Sequence, residues 1–215
     1  MLRNIPLFNS LSDEDVKLVD GMAVEKHVAK NTVIITEGEV GDSLFVILAG
    51  RVKVLIGDSE GREIILKILG PGDFFGELAL IDKQPRSASV STLDNTVLKV
   101  LSHTAFEVCL DRAPRIAVSV MQALAKRLRD ADRKISTLAL LDVYGRVTHT
   151  LLELAINTNG KLVVGERLSQ QEIANMVGAS REMVNRILKD LSDRGYITVE
   201  SKSITIHNSK LPLAV

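Results

Sequence analysis

Leu168-Ser-Gln-Gln-Glu-Ile-Ala-Asn-Met-Val-Gly-Ala-Ser-Arg-Glu-Met-Val-Asn-Arg-Ile-Leu-Lys-Asp-Leu-Ser-Asp-Arg-Gly195 is the stretch on which the reading of the fold turns. Ser169, followed three residues later by Glu172, forms a capping box: the hydroxyl accepts from a backbone N–H and the carboxylate reaches back to the cap. A helix opens there. Ala174 is small where a second helix must approach, Gly178 stands where a turn needs positive φ, and Ile173, Val177, Val184, Ile187 and Leu188 supply an apolar face. Ser180 then stands at the N-cap of a second helix, Arg181 to Asp193. This is the pattern of a helix-turn-helix, whose second helix enters the DNA major groove with its N-terminal face.

In that second helix Arg181, Asn185 and Lys189 form one i, i+4 series, and Glu182 and Arg186 form an adjacent one. Arginine can present two donors to guanine O6 and N7, and glutamate can accept from cytosine N4. A carboxylate facing phosphates is repelled, so Glu182 makes sense mainly as a base reader. The competing reading is a solvated face laced by i, i+4 ion pairs. Ser169, Gln170 and Ser180 at the two helix starts complete the helix-turn-helix candidates. Tyr196 to Glu200 and Ser203 to His207 read as two strands around Lys202, a hairpin wing with a further candidate contact.

Working backwards, Pro114 to Leu141 holds no glycine and no internal proline. Apolar or small residues fall at Ala117, Met121, Leu124, Leu128, Ala131, Ile135 and Leu138, with spacings alternating four and three. That heptad seam predicts a helix paired with a second copy of itself, against the alternative of an ordinary core-facing helix. Beyond it, Asp142 to Ile156 reads as helical with a hinge or bend at Gly145, Asn157 to Gly160 as a loop, and Leu162 to Val164 as a short strand.

Between Thr32 and Val100 the texture is different. Short apolar runs (Val33 to Ile35, Leu44 to Leu48, Val52 to Ile56, Ile64 to Leu69, Ala88 to Val90, Val97 to Leu101) alternate with glycine-bearing turns, and Gly57 to Gly61 reads as a hairpin loop. Such punctuation predicts an antiparallel all-β barrel or sandwich.

The 215 residues are enough for two domains with separate cores. Lys plus Arg and Asp plus Glu are equal at 27 each, so any attraction to DNA must come from a local patch. Residues 142–215 carry nine basic and eight acidic side chains, a balance of +1, which neither supports nor excludes DNA. The single Cys109, in an apolar stretch, reads as a buried structural thiol. No signal-like opening or apolar run near 18 residues is present, so a soluble, cytoplasmic protein with no membrane association is expected. No Ser-His-Asp set, metal-ligand cluster or Walker-type loop is visible, and the four histidines have no ligand-like spacing, so neither an enzyme nor a metal or haem site is expected.

Two motifs converge on one family. Phe75-Gly-Glu-Leu-Ala-Leu80 followed by Pro85-Arg-Ser-Ala88 resembles the phosphate-binding cassette of cyclic-nucleotide-binding domains, and Ser180-Arg-Glu-Met-Val-Asn-Arg186 resembles the recognition helix of CRP/FNR (cyclic AMP receptor-like) regulators. With Leu141-Asp-Val-Tyr-Gly-Arg146 between them, the resemblance covers nearly the whole chain. It implies an α+β chain in three parts: a cyclic-nucleotide-binding, jelly-roll-like β-roll (1–113), a dimerisation helix (114–141) and a winged helix-turn-helix (142–215). The expected activity is allosteric: a cyclic nucleotide in the β-roll shifts the seam helices of a homodimer and reorients its two recognition helices. Arg181, Glu182 and Arg186 match the family's reader triad, which implies TGTGA-like half-sites in a near-palindrome; Met183 and Asn185 depart from the family pattern. RNA polymerase is an expected partner by the same resemblance.

Carried over by position, Glu77 accepts from the ribose 2′-hydroxyl, Arg86 pairs with the cyclic phosphate, Gly76 and Ser87 supply donors, and Leu78 belongs to the same cassette. The alternative is a turn in which Glu77 and Arg86 pair with each other. Some members of the family use a threonine and a serine on the dimer helix to contact adenine; the corresponding positions here are Ala131 and Asp132, and Asp132 can accept from the adenine amino group. Asp132 can accept from guanine N1 and N2, which brings in cyclic GMP or cyclic di-GMP beside cyclic AMP, or it can pair with Arg129 or Arg133. A ligand-independent regulator and a nucleotide-binding regulatory subunit of another enzyme complete the alternatives; the second leaves the winged helix unexplained.

Overall fold

Ser43-Leu-Phe-Val-Ile-Leu-Ala49 is apolar on both alternating faces, and the computed structural model, which describes residues 5, 8, 11–165, 168–200 and 203–207, shows both faces covered. The chain divides into two compact units, Met1–Leu128 and Arg129–Val215.

The first unit begins with helix α1 (Asp13–Met22), capped by Ser12. Antiparallel strands follow: β1 (Val24–Val28), β2 (Val33–Ile35), β3 (Ser43–Ala49), β4 (Val52–Gly57), β5 (Glu63–Leu69) and β6 (Phe74–Phe75). After helix α2 (Glu77–Asp82) come β7 (Ser89–Thr92), β8 (Thr96–Ser102) and helix α3 (His103–Arg112). They form two four-stranded sheets, ordered β1-β8-β3-β6 and β2-β7-β4-β5. On β3, Phe45 and Ile47 join Val28, Val52, Leu69, Phe75, Val90 and Leu98 in one core. Leu44 and Val46 point the other way, into a second core with Val19, Leu101, Phe106, Cys109, Ile116 and Val120. The period-two alternation of a strand thus serves two apolar layers at once. Each fully buried Ile or Leu there contributes about 1.5–3 kcal/mol.

Helix α4 (Arg115–Leu140) carries two adjacent stripes. Ile116, Val120 and Ala123 pack on the first unit's core, with Leu124 partly buried beside them. Met121, Leu128, Ala131, Ile135 and Leu138 of the heptad series remain exposed, Leu128 and Ile135 at 64% each.

The second unit contains α5 (Val143–Leu154), a hairpin of β9 (Ala155–Thr158) and β10 (Lys161–Val164), then α6 (Gln170–Val177), α7 (Arg181–Asp193), β11 (Ile197–Val199) and β12 (Ile204–Ile206). Its sheet is ordered β11-β12-β10-β9. Two expectations need correction here. The helical break falls at Leu141–Asp142, where Asp142 caps α5, and Gly145 is buried inside that helix with its N–H donating to Asp142 Oδ1 at 2.8 Å. The supposed loop at 157–160 is mostly hairpin. Asn159 and Gly160 both take positive φ (53° and 80°), the demand of a type I′ turn whose twist matches the flanking strands.

Candidate functional site

The cassette is built around Arg86. Strand β6 runs into Gly76, whose φ of 85° starts α2 without a side-chain cap. A Cβ at Gly76 would lie 2.8 Å from Arg86 Nη1 and 2.9 Å from the Ser43 carbonyl; one at Gly41 would lie 2.2 Å from Arg86 Nε. Both glycines make room for the guanidinium. Arg86 is buried, donates from Nη1 to the Gly76 carbonyl at 2.7 Å and from Nη2 to the Ser43 carbonyl at 2.9 Å, and lies over the Phe45 ring, 6.0 Å from its centroid, a ring itself stacked on Phe75. Burial lowers its pKa from the ordinary arginine value, while Asp42, Glu77 and Glu39 oppose the shift. An arginine so placed stays charged.

Glu77 does not pair with Arg86. It is 2% exposed, and its Oε1 accepts from Arg127 on α4. Arg127 also donates to the Phe74 carbonyl and sits 4.6 Å over the Phe74 ring. The other carboxylate oxygen, Oε2, is buried with no hydrogen-bond partner among the described residues. A buried acceptor left without a donor costs about 1–3 kcal/mol, a cost that a donor brought in from outside the chain would remove. Leu78, next in sequence to Glu77, and Ser87, next to Arg86, are both exposed. The chemistry present, one charged arginine and one free carboxylate oxygen, fits a ribose cyclic phosphate.

Arg127 escaped the sequence reading. It belongs to the inward stripe Ile116, Val120, Ala123, Arg127, whose four-three-four spacing runs beside the heptad seam, and a cation ending an apolar stripe was the available signal. Ala131 and Asp132 lie one turn further on, within the second unit, and both are exposed. Arg133 pairs with Asp130 at 3.0 Å, not with Asp132.

In the second unit the helix-turn-helix forms as its local signals dictate. Ser169 Oγ accepts from Glu172 N at 3.2 Å while Glu172 Oε2 accepts from Ser169 N at 2.6 Å, so both halves of the capping box are made. Gly178 closes α6 at φ 64°, and Ser180 caps α7 by accepting from Met183 N at 3.2 Å. Ile173, Ala174, Val177, Val184, Ile187, Leu188 and Leu191 are buried against Val147 and Leu151 of α5. Arg146 donates to the Val177 carbonyl at 2.9 Å and to the Leu141 carbonyl at 3.2 Å, tying the end of α6 to the residue just before the cap of α5. Tyr144 donates to Asp190 at 3.1 Å, and Asp190 also holds Arg194.

Over its first nine residues α7 leaves outside Arg181, Glu182, Met183, Asn185, Arg186 and Lys189. Among the described residues none of Arg181, Glu182, Arg186 and Lys189 joins an ion pair, so the i, i+4 lacing is not formed. Three cations and one anion are presented free. Asn185 accepts from Gln170 Nε2 at 3.1 Å, a link between the two helices. Lys202 lies outside the described residues. No helix among the described residues is long and apolar enough to cross a membrane.

Comparison with known proteins meets this geometry at both ends. Residues 25–113 match the cyclic nucleotide-binding domain family, and residues 145–210 match the Crp-like helix-turn-helix domain family. The CRP-like cAMP-activated global transcriptional regulator of Mycobacterium tuberculosis is 39% identical over 181 residues, covering 82% of this chain and 81% of that protein. The cAMP-activated global transcriptional regulator CRP of Pasteurella multocida is 36% identical over 194 residues, covering 87% and 91%. Among solved structures, the c-di-GMP responsive global regulator CLP of Xanthomonas campestris superposes with a TM-score of 0.81 at 27% identity, covering 92% of this chain and all of that one. The relatives are transcriptional regulators and not enzymes, and this chain, with a cyclic nucleotide-binding domain followed by a helix-turn-helix, belongs to the CRP/FNR family of transcription regulators.

Proposed function

We propose that the chain is a homodimeric, cytoplasmic regulator that takes a cyclic nucleotide in its cassette and then binds a TGTGA-like near-palindrome. The observation that carries this reading is the buried, donor-less Glu77 Oε2 beside a buried, charged Arg86. In the liganded state the ribose 2′-hydroxyl donates to Glu77, the cyclic phosphate draws the Arg86 guanidinium, Gly76 and Ser87 contribute donors, and Leu78 covers the sugar. Arg127 ties Glu77 to α4, so a ligand arriving at Glu77 acts directly on the helix that carries the seam.

The exposed seam of Met121, Leu128, Ala131, Ile135 and Leu138, with Leu124 at its inner edge, is closed by a second copy. The division into 1–113, 114–141 and 142–215 follows from that role for α4. Two recognition helices then enter major grooves about 34 Å apart, with Arg181, Glu182 and Arg186 reading bases. Ser169, Gln170, Ser180, Asn185, Lys189 and Lys202 serve the surrounding contacts, and RNA polymerase is the downstream partner. Cyclic AMP is the first candidate effector, since the curated relatives are cAMP-activated. The second is a guanine nucleotide, cyclic GMP or cyclic di-GMP, favoured by the exposed Asp132 and by the similarity to a c-di-GMP responsive regulator.

Selection from random DNA tests the whole reading: two TGTGA-like half-sites centred about 10 base pairs apart are expected, and an unrelated or single-site consensus contradicts it. Leu128→Asp, at an exposed position, is expected to leave the fold intact and to shift sedimentation from dimer to monomer. A dimer that survives the substitution removes the seam from the account.

A further inference from the structure

We infer that Gln170 is a specificity-determining positioning residue, which turns Asn185 into a hydrogen-bond donor and bars it from reading adenine; the inference rests on the DNA-binding reading above. The two residues come from different helices. Gln170 is the first residue of α6, fixed by the complete capping box of Ser169 and Glu172. Asn185 lies one turn beyond Arg181 on α7, whose position is set by buried Val184, Ile187 and Leu188. Their separation is therefore dictated by the core shared between α6 and α7. Across it, Gln170 Nε2 donates to Asn185 Oδ1 at 3.1 Å, and Gln170 is the only side-chain partner of Asn185 among the described residues.

An asparagine carboxamide has an acceptor oxygen at one end and a two-hydrogen donor at the other. Its terminal torsion is broad, so without a neighbour it turns either way. Turning the oxygen toward α6 leaves the amide nitrogen pointing away from α6, with both hydrogens free. Reading adenine requires both ends of the carboxamide, the oxygen for N6–H and the nitrogen for N7. Guanine O6 and N7, thymine O4 and phosphate oxygens require only the donor. In the pair seen here the oxygen is turned toward α6, so Asn185 presents its donor end, which suits the second set, while the first needs the oxygen turned back beside it. The bond is exposed and neutral, so its consequence is orientation more than stability.

A selection experiment on the full-length protein, with a library randomised across the half-site, separates the possibilities. Gln170→Ala frees the Asn185 carboxamide and is expected to raise adenine over guanine at one half-site position by roughly 10-fold, within the range of a bidentate contact. The Gln170→Ala/Asn185→Ala double variant is expected to lose that gain. Gln170→Glu, which only accepts, is expected to turn Asn185 over and favour the donor-bearing bases adenine and cytosine. Base preferences unchanged in Gln170→Ala, or a gain that persists in the double variant, overturn the inference while leaving DNA binding in place. A wild-type protein that enriches no sequence overturns the DNA-binding reading and the inference together.

Discussion

The cassette and the recognition helix handle charge in opposite ways. In the cassette, Arg86 and Glu77 are buried and held by neighbours, with two backbone carbonyls on one and Arg127 on the other. On α7, Arg181, Glu182, Arg186 and Lys189 are exposed and form no ion pair among the described residues. A small anion must be taken out of water, so its site has to supply a desolvated, fixed cation before the ligand arrives. A DNA groove is broad and hydrated, and the cations that meet it gain affinity partly by releasing counterions. The difference teaches that one chain can hold two anion-recognising surfaces without a net charge, because each works locally.

Three substitutions bear on that contrast, from the largest effect to the smallest. Arg86→Ala removes the buried cation and is expected to weaken nucleotide binding by about 3–5 kcal/mol, as for a buried charged contact losing one partner; calorimetry reads this directly, and a loss under 1 kcal/mol would show the phosphate bound elsewhere. Arg181→Ala removes an exposed cation proposed to read a base and is expected to cost about 1–3 kcal/mol of DNA affinity, with relaxed preference at one base pair and nucleotide affinity unchanged. A uniform loss across all half-site sequences would make Arg181 a phosphate contact instead. Ser180→Ala sharpens a smaller point. The structure uses Ser180 as the cap of α7, so its loss is expected to cost about 1 kcal/mol of stability in thermal unfolding with base preference unaltered. A change in the selected consensus would give Ser180 a role in base reading.

The same two regions differ in how far the sequence betrays them. The helix-turn-helix is legible nearly to the residue, because its signals are local: a capping box at Ser169, a glycine at 178 with φ of 64°, and a second cap at Ser180 that opens α7 at Arg181. The cassette residues were identified by resemblance. Their actual partners were hidden, since the Glu77–Arg127 pair joins positions 50 residues apart and no local rule announces it. Strand β1 was missed for a different reason. Val24-Glu-Lys-His-Val28 buries only Val28, so an edge strand with one apolar anchor shows almost no alternation to read. Helix α1 had a usable signal, Ser12 followed by three acidic residues, and Asn159-Gly160 marked a hairpin where a loop was expected. Local chemistry was readable wherever it sufficed to set the backbone; long-range pairing was not.

The central claim is that the cassette governs the DNA-reading face. Its most direct test is the affinity of the wild-type protein and of Arg86→Ala for a TGTGA palindrome, measured at fixed salt without nucleotide and with saturating cyclic AMP, cyclic GMP or cyclic di-GMP. The account predicts that cyclic AMP raises wild-type affinity about 5–150-fold, the span of a typical coupling between sites, and that Arg86→Ala abolishes the increase. Palindrome affinity that is identical under all four conditions in the wild-type protein would contradict it.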